Sequence, residues 1–397
     1  MQKNLLRYIK MWTAASLLAG LAACGGGGGG GGSGGTGSMR LAITDAPSCG
    51  YEHVYVTVEK VRIHNSSDAT SAPGEGGWSE IVLATPRKID LLSLNNGVLS
   101  ELGQTALPAG KYTQLRLVLA PNRGNALANS IVLAGTSAEL AMTTPSAQSS
   151  GLKLNVNIDI AANQLADLVL DMDVCKSVKI TTTGNDKYLL RPVVRVFART
   201  LTGVSGTVDA SIANGSTTVA LQRDGVTVRS TIPTTSGTYL IQPIDAGAYN
   251  LVLTAPGYQT AVIRSVAVGT GTITPIYTTL RPGTVTVGTI SGTVTTGITP
   301  IDADVRALQA LTGGPTIEVI SRPVNGDTGL FGYSLPTLGP IVTSYVVGTA
   351  TLTFAVDAAV AGRYSLEALS GSATKSAIPT PTPLTSGGTS TATFTFP

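Results

Sequence analysis

Between Met39 and Phe197, apolar residues recur at every second position in run after run. Leu152, Leu154, Val156, Ile158 and Ile160 fall on one face of an extended chain, with Lys153, Asn155, Asn157 and Asp159 on the other. Leu115, Leu117 and Leu119 alternate in the same way, as do Val54, Val56 and Val58. Met39, Leu41 and Ile43 open the region, and Arg191–Phe197 closes it. Turn-forming clusters cut the runs at Asn95-Asn96-Gly97, Pro108-Ala109-Gly110 and Pro121-Asn122-Arg123-Gly124. No run of helical period is long enough to cover a sheet, although Leu91–Leu102 has room for a short helical turn. Strands without covering helices must bury one sheet against another, so the pattern predicts an all-β chain of antiparallel sandwiches.

The texture changes after Thr200. Lysine is absent from Leu201 to Gly288, and a motif set appears twice. Val204-Ser205-Gly206-Thr207-Val208 is echoed by Ile290-Ser291-Gly292-Thr293-Val294. Gly237-Thr238-Tyr239 is echoed by Gly329-Leu330-Phe331, and Ala246-Gly247-Ala248-Tyr249 by Ala361-Gly362-Arg363-Tyr364. This is an internal repeat, with Gly supplying turns and the following aromatic anchoring a strand in a core. Tyr239, Tyr249 and Tyr364 are therefore read as core anchors rather than as sugar-stacking platforms. The second copy carries extra residues near Thr337–Ala359, which predict an added hairpin.

Composition narrows the function classes. Charged residues are 12% and aromatics 5% of 397 residues, with 47 Gly and 21 Pro. That argues against a coiled coil, a charged disordered tail and a basic nucleic-acid binder. Lys3, Arg7 and Lys10 precede the apolar stretch Met11–Ala23, which is too short to span ~30 Å of hydrocarbon. Removing that segment leaves 23 basic against 23 acidic residues, so the remaining chain is formally neutral. Leu21-Ala22-Ala23-Cys24 resembles the bacterial lipobox, which implies cleavage after residue 23 and a diacylglycerol on Cys24. By resemblance to proteobacterial lipoproteins, Gly25 implies sorting to the outer membrane, facing the periplasm or the cell surface. Eight glycines, Gly25–Gly32, then begin a flexible tether that runs to Ser38. Its root-mean-square reach is about 20 Å.

Six ordered blocks in the first region resemble the bacterial family catalogued as domain of unknown function 4382. They are Thr44–Pro47, Val54–Val61, Asp90–Leu92, Leu107–Leu117, Gly151–Leu154 and Leu170–Asp173 with Lys176-Ser177. The resemblance implies a fold but no activity. The order of Ser-Gly-Thr-Val, Val219-Ala220-Leu221, Gly237-x-Tyr239, Ala246-Gly247-x-Tyr249 and Pro256-Gly257-Tyr258 resembles the carboxypeptidase regulatory-like sandwich. That group has a starch-binding-like fold, and its members serve as spacers or accessory modules. The predicted organisation is a signal peptide over 1–23, a lipidated Cys and tether over 24–38, and sandwiches over 39–200, 201–287 and 288–397. Isopeptide-linked adhesin modules share this shape but need a buried Lys. The second sandwich has no Lys and the third only Lys375.

Candidate chemistry is sparse. Cys49 and Cys175 remain after lipidation, and an even pair in an oxidising compartment reads as a disulfide, with two free thiols as the alternative. Such a bond would stabilise by up to about 5 kcal/mol on the chain-entropy model. Asp45, Asp171 and Asp173 form the one acidic set that could hold a metal, and Ca²⁺ is the ion that oxygen ligands suit. The other reading is that these Asp residues, like Asp90, cap turns and strand ends. His53 and His64 are the only histidines and are expected at the surface, too few for zinc. The single Gly-x-Ser-x-Gly match surrounds Ser33 in the tether, where no strand-to-helix elbow can form. With no catalytic set and no required cofactor, the chain reads as a non-enzymatic envelope lipoprotein. Its partners would be the membrane, through the lipid, and a polysaccharide or envelope protein. A structural spacer is the alternative.

Overall fold

The computed structural model describes residues 35–45, 50–70, 76–124, 126–145, 150–181 and 187–397. The signal segment, Cys24, the glycine run and Cys49 lie outside the described residues. Residues Gly35–Pro397 form one compact unit. It is built almost entirely of strands, as the alternation predicts.

The first sandwich packs two sheets. One runs in the order Val194–Ala198, Leu165–Met172, Thr36–Asp45, Ser100–Pro108. The other runs Glu139–Ala141, Ser130–Leu133, Tyr51–His64, Gly110–Leu119, Leu152–Ile160, with Ser79–Asp90 also paired to Tyr51–His64. Leu152, Leu154, Ile158 and Ile160 face the core, and the polar residues between them are exposed. Between Asp90 and Ser100 the expected helical turn is the short 3₁₀ segment Leu91–Leu94. The first strand begins at Thr36, inside the predicted tether, with the Ser38 amide donating to the Gln164 carbonyl at 2.9 Å. The tether therefore ends earlier than Ser38, because Thr36 to Ser38 already pair with Pro108 to Ala106.

The repeat is visible in three dimensions. Gly203–Val208 lies between Thr238–Ile241 and Ile273–Leu280, and Val287–Thr295 lies between Leu330–Pro336 and Thr389–Thr395. In both, the first neighbour is antiparallel and the second parallel. The opposing sheets also share one order: Val226–Thr231, Thr218–Arg223, Gly247–Thr254, Ala261–Val268, and Thr316–Pro323, Asp304–Ala310, Ser365–Ser370, Ala373–Ala377. Separate cores fill the two sandwiches, one around Tyr239 and Tyr249 and the other around Phe331 and Tyr364.

Two findings modify the repeat. The hairpin Ile341–Ser344 with Ala355–Val356 does occur within the extra residues. It does not extend its own sandwich: Ile341–Ser344 pairs parallel with Ala261–Val268 and enlarges the preceding sheet to six strands, and Leu352 enters that sandwich's core. The second finding concerns Ala-Gly-x-Tyr. Tyr249 donates its hydroxyl to the Asp245 carbonyl four residues back, at 2.8 Å. Tyr112, in Pro108-Ala109-Gly110-Lys111-Tyr112 of the first sandwich, does the same to Pro108 at 2.9 Å. Both resemble the tyrosine corner of sandwich folds. Tyr364 instead reaches Pro336 at 2.6 Å. The corner is thus shared by the first and second sandwiches, and the third keeps only the letters.

All three repeat tyrosines are core residues, at 3%, 2% and 4% exposure for Tyr239, Tyr249 and Tyr364. Burial raises the pKa of Tyr51 to about 12 and pushes Tyr239, Tyr333 and Tyr364 still further above the ordinary 10.0. A folded pKa above the unfolded value contributes stability that is intact below pH ~10 and is lost as pH rises through the folded pKa. We therefore expect phenolate absorbance from these four residues to appear only together with loss of the strand circular-dichroism signal. Smooth titration of every tyrosine before unfolding would contradict their burial.

Candidate functional site: the junction of three sandwiches

Thr36–Asp45 and Leu165–Met172 run parallel, with Thr44 opposite Asp171, so Asp45 and Asp171 meet at one end of the first sandwich. The chain then turns into the one-turn helix Val174–Ser177, whose first amides need acceptors. Asp45 Oδ1 accepts from the Val174 amide at 3.2 Å, and Asp173 Oδ1 accepts from the Lys176 amide at 3.2 Å. Asp171 points into the junction instead. Its Oδ1 lies 3.0 Å from Nη1 of Arg229, which comes from the second sandwich. Both side chains are almost fully buried, at 4% and 3% exposure. Arg229 also donates to Thr44 Oγ1 at 3.3 Å and lies 5.6 Å from the Phe197 ring. Burial pushes the Asp171 carboxyl up, and Arg229 opposes that shift. The same burial pushes the guanidinium down, with Asp171 and Asp45 opposing. In a low-dielectric seam each charge is tolerable only because of the other.

The acidic set predicted from sequence is therefore brought together but serves a different purpose. Among the described residues, no group of three or more His, Cys, Asp or Glu is placed to hold a metal ion. Calcium at Asp45, Asp171 and Asp173 is corrected accordingly. The positive charge at Asp171 is Arg229, Asp45 and Asp173 accept helix amides, and Lys176 Nζ lies 3.5 Å from Asp173. Sequence reading missed Arg229, which is 58 positions from Asp171 and has no motif around it.

Two further seams join the bodies. Lys176 Nζ is 3.6 Å from Glu318 of the third sandwich, and Gln222 of the second exchanges two hydrogen bonds, of 2.7 and 2.8 Å, with the Glu318 backbone. Lys179, 5% exposed, reaches Asp304 at 2.9 Å and Asp302 at 3.6 Å. Asn96 binds the second sandwich through Thr231, Ile232 and Leu240. Every pair of sandwiches thus shares polar contacts.

Where the three meet there is a cleft of about 380 Å³. Thr218, Ala220 and Gln222 line it from the outer face of a strand whose Val219 and Leu221 enter the core. Ser334 lines it from Leu330–Pro336, and Lys176 and Glu318 lie at its charged side.

The remaining candidates fall elsewhere. His53 is half-buried, with Nδ1 2.7 Å from Asp90. His64 is buried, contrary to the surface expectation, because its ring packs 5.0 Å from Trp78. Its Nδ1 accepts from the Ser66 amide, which leaves Nε2–H to donate to Gly76. Lys375 is exposed, so the third sandwich lacks the buried lysine of an isopeptide module. Cys175 lies in the short helix and is not free, while Cys49 is outside the described residues.

Residues 36–192 match the family model described as a domain of unknown function, DUF4382. That span ends within the first sandwich's region and includes Asp45, Asp171, Asp173 and Lys176. No curated protein matches the chain by sequence. Among solved structures, the TIE protein of Bacillus anthracis is 12% identical, with a TM-score of 0.16. The alignment covers 91% of this chain, which spans about half (51%) of that protein. The major pilin SpaA of Corynebacterium diphtheriae is 11% identical, with a TM-score of 0.17 and coverage of 90% and 99%. The major pilin subunit BcpA of Bacillus cereus is 11% identical, with a TM-score of 0.13 and coverage of 91% and 99%. At such identities and TM-scores the three carry no functional argument.

Proposed function

We propose that this chain is a non-catalytic lipoprotein of the bacterial outer membrane that holds a rigid three-sandwich body off the envelope to bind a polysaccharide. The observation that carries this reading is the junction. Buried ion pairs and a hairpin placed in the neighbouring sheet join the sandwiches into one body, as a presenting scaffold requires. The lipobox Leu21–Cys24 and the glycine run supply the anchor and the slack. No helix among the described residues is long and apolar enough to cross a membrane. Asp45, Asp171 and Asp173 are engaged by helix amides, Arg229 and Lys176, which supports a non-catalytic reading. The second sandwich is read as a carboxypeptidase regulatory-like module, and Cys49–Cys175 as a disulfide next to the junction. The same rigidity favours the second reading, a structural spacer within an envelope complex.

The anchor is tested by labelling cells with a fatty-acid analogue and separating their membranes. The wild-type chain is expected to carry label and sediment with the outer membrane. Cys24→Ala is expected to lose the label and become soluble. The denatured, unreduced wild-type protein should show no reactive thiol, since Cys24 is acylated and the other two are paired. An unlabelled wild-type chain, or a Cys24→Ala chain that stays with the outer membrane, overturns the lipoprotein reading.

A further inference from the structure

We propose that the cleft at the three-sandwich junction is the polysaccharide site and that it takes a neutral glycan. This rests on the binding reading above and adds to it the place and the ligand class.

The charge of the cleft argues first. Two cations, Lys176 and Arg322, and two carboxylates, Asp173 and Glu318, line the cleft, so its formal charge is zero, with Arg322 solvent-exposed and in no ion pair among the described residues. Lys176 sits between the two carboxylates, 3.5 Å from one and 3.6 Å from the other. Glu318 is also within 3.4 Å of Arg306. With a net formal charge of zero and half-buried Lys176 held between two carboxylates, the lining offers no cluster of like charge to select a phosphate, sulfate, uronate or amine.

The uncharged lining argues second. Ser216, Thr218 and Thr254 of the second sandwich and Ser321 and Ser334 of the third face the cleft. The hydroxyls of these five side chains make no hydrogen bond to the described residues. A hydroxyl both donates and accepts, which matches the alternating donors and acceptors around a sugar ring. Half-buried Tyr258 adds an aromatic surface of the kind that packs against the C–H face of a sugar. The volume of about 380 Å³ falls in the ~300–1,000 Å³ range of small-ligand sites.

Strand geometry explains why these hydroxyls are free. Thr218 and Thr254 are direct partners on adjacent strands, on the sheet face turned away from the core. The third sandwich covers that face only in part, so its polar groups are neither buried nor paired. All three sandwiches contribute to the wall, so the site exists only in the joined body.

The test uses the full chain, purified from membranes in mild detergent. Calorimetry is run against neutral gluco-oligosaccharides of α- and β-linkage, with polygalacturonate oligomers as the acidic control. Saturable binding to a neutral class is expected. It should weaken at least tenfold in Thr218→Trp and in Ser334→Trp, which fill the cleft from two different sandwiches, with melting unchanged. If one variant fails to fold, the other decides. Binding retained in a folded variant overturns the cleft as the site and leaves the binding reading standing. Preference for the acidic oligomers overturns the neutral class. No binding by the wild-type chain overturns both the site and the polysaccharide reading, and favours the spacer.

Discussion

Replacing Arg229 by Met is expected to lower stability by about 3–5 kcal/mol, because it strands a carboxylate inside the protein. Asp171 is almost fully buried and is held in the junction by that guanidinium at 3.0 Å. Methionine keeps much of the volume and contact with Phe197 but supplies no charge. Asp171→Leu should destabilise by a comparable amount through the opposite orphan, a buried guanidinium. The double variant Arg229→Met/Asp171→Leu is the decisive member of the set. Removing both charges together leaves an apolar contact, and buried pairs replaced in this way lose little and sometimes gain. Unfolding in guanidinium chloride, followed by circular dichroism, should place both single variants well below wild type and the double variant near it. Three equal midpoints would mean that the pair does not hold the first two sandwiches together.

A comparable loss is expected from a single methyl group at Gly329. This residue has φ of +67°, where an L-residue is disfavoured by ~1–2 kcal/mol. A Cβ there would also collide with the Val294 carbonyl oxygen. The turn places the Gly329 carbonyl to accept from the Val294 amide at 2.9 Å, a bond worth about 1 kcal/mol net. Gly329→Ala should therefore cost about 2–3 kcal/mol or more, and thermal melting should show it. Gly237, at φ of +88°, faces Val208 in the same way in the second sandwich, so Gly237→Ala should behave alike. Gly332, three residues beyond Gly329, has nothing within 4 Å of its would-be Cβ. Gly332→Ala should leave the melting temperature unchanged or slightly raised, since Ala favours a strand interior over Gly by ~0.5–1 kcal/mol. If the Gly329 and Gly332 variants melt together, the turn is not a fixed point of the repeat.

Legibility in the sequence followed the range of the interactions. The alternation at Leu152–Ile160 told which side chains would be buried, because a strand's two faces depend only on local geometry. The paired Ser-Gly-Thr-Val and Gly-x-aromatic motifs told that two similar sandwiches would follow. The same letters misled at Tyr364, whose hydroxyl leaves its local corner for Pro336. The extra residues announced a hairpin, but not which sheet would receive it. Asp45, Asp171 and Asp173 were recognisable as a cluster because two are near neighbours in sequence. Their chemistry was not, since the group that answers Asp171 is an arginine of the next sandwich.

By itself the sequence determined the strands, their inward faces, the turns and the all-β class, since each depends on residues a few positions apart. It also carried the glycine run and the Leu21–Cys24 stretch that resembles a lipobox, both legible as linear patterns. Only the tertiary structure decided that the hairpin Ile341–Val356 belongs to the preceding sheet, that Arg229 rather than a metal ion faces Asp171, and that a hydroxyl-lined cleft opens between the sandwiches. Those outcomes depend on how whole sandwiches dock. Docking is set by complementary charge and shape over surfaces whose residues are scattered along the chain, so no local pattern encodes it.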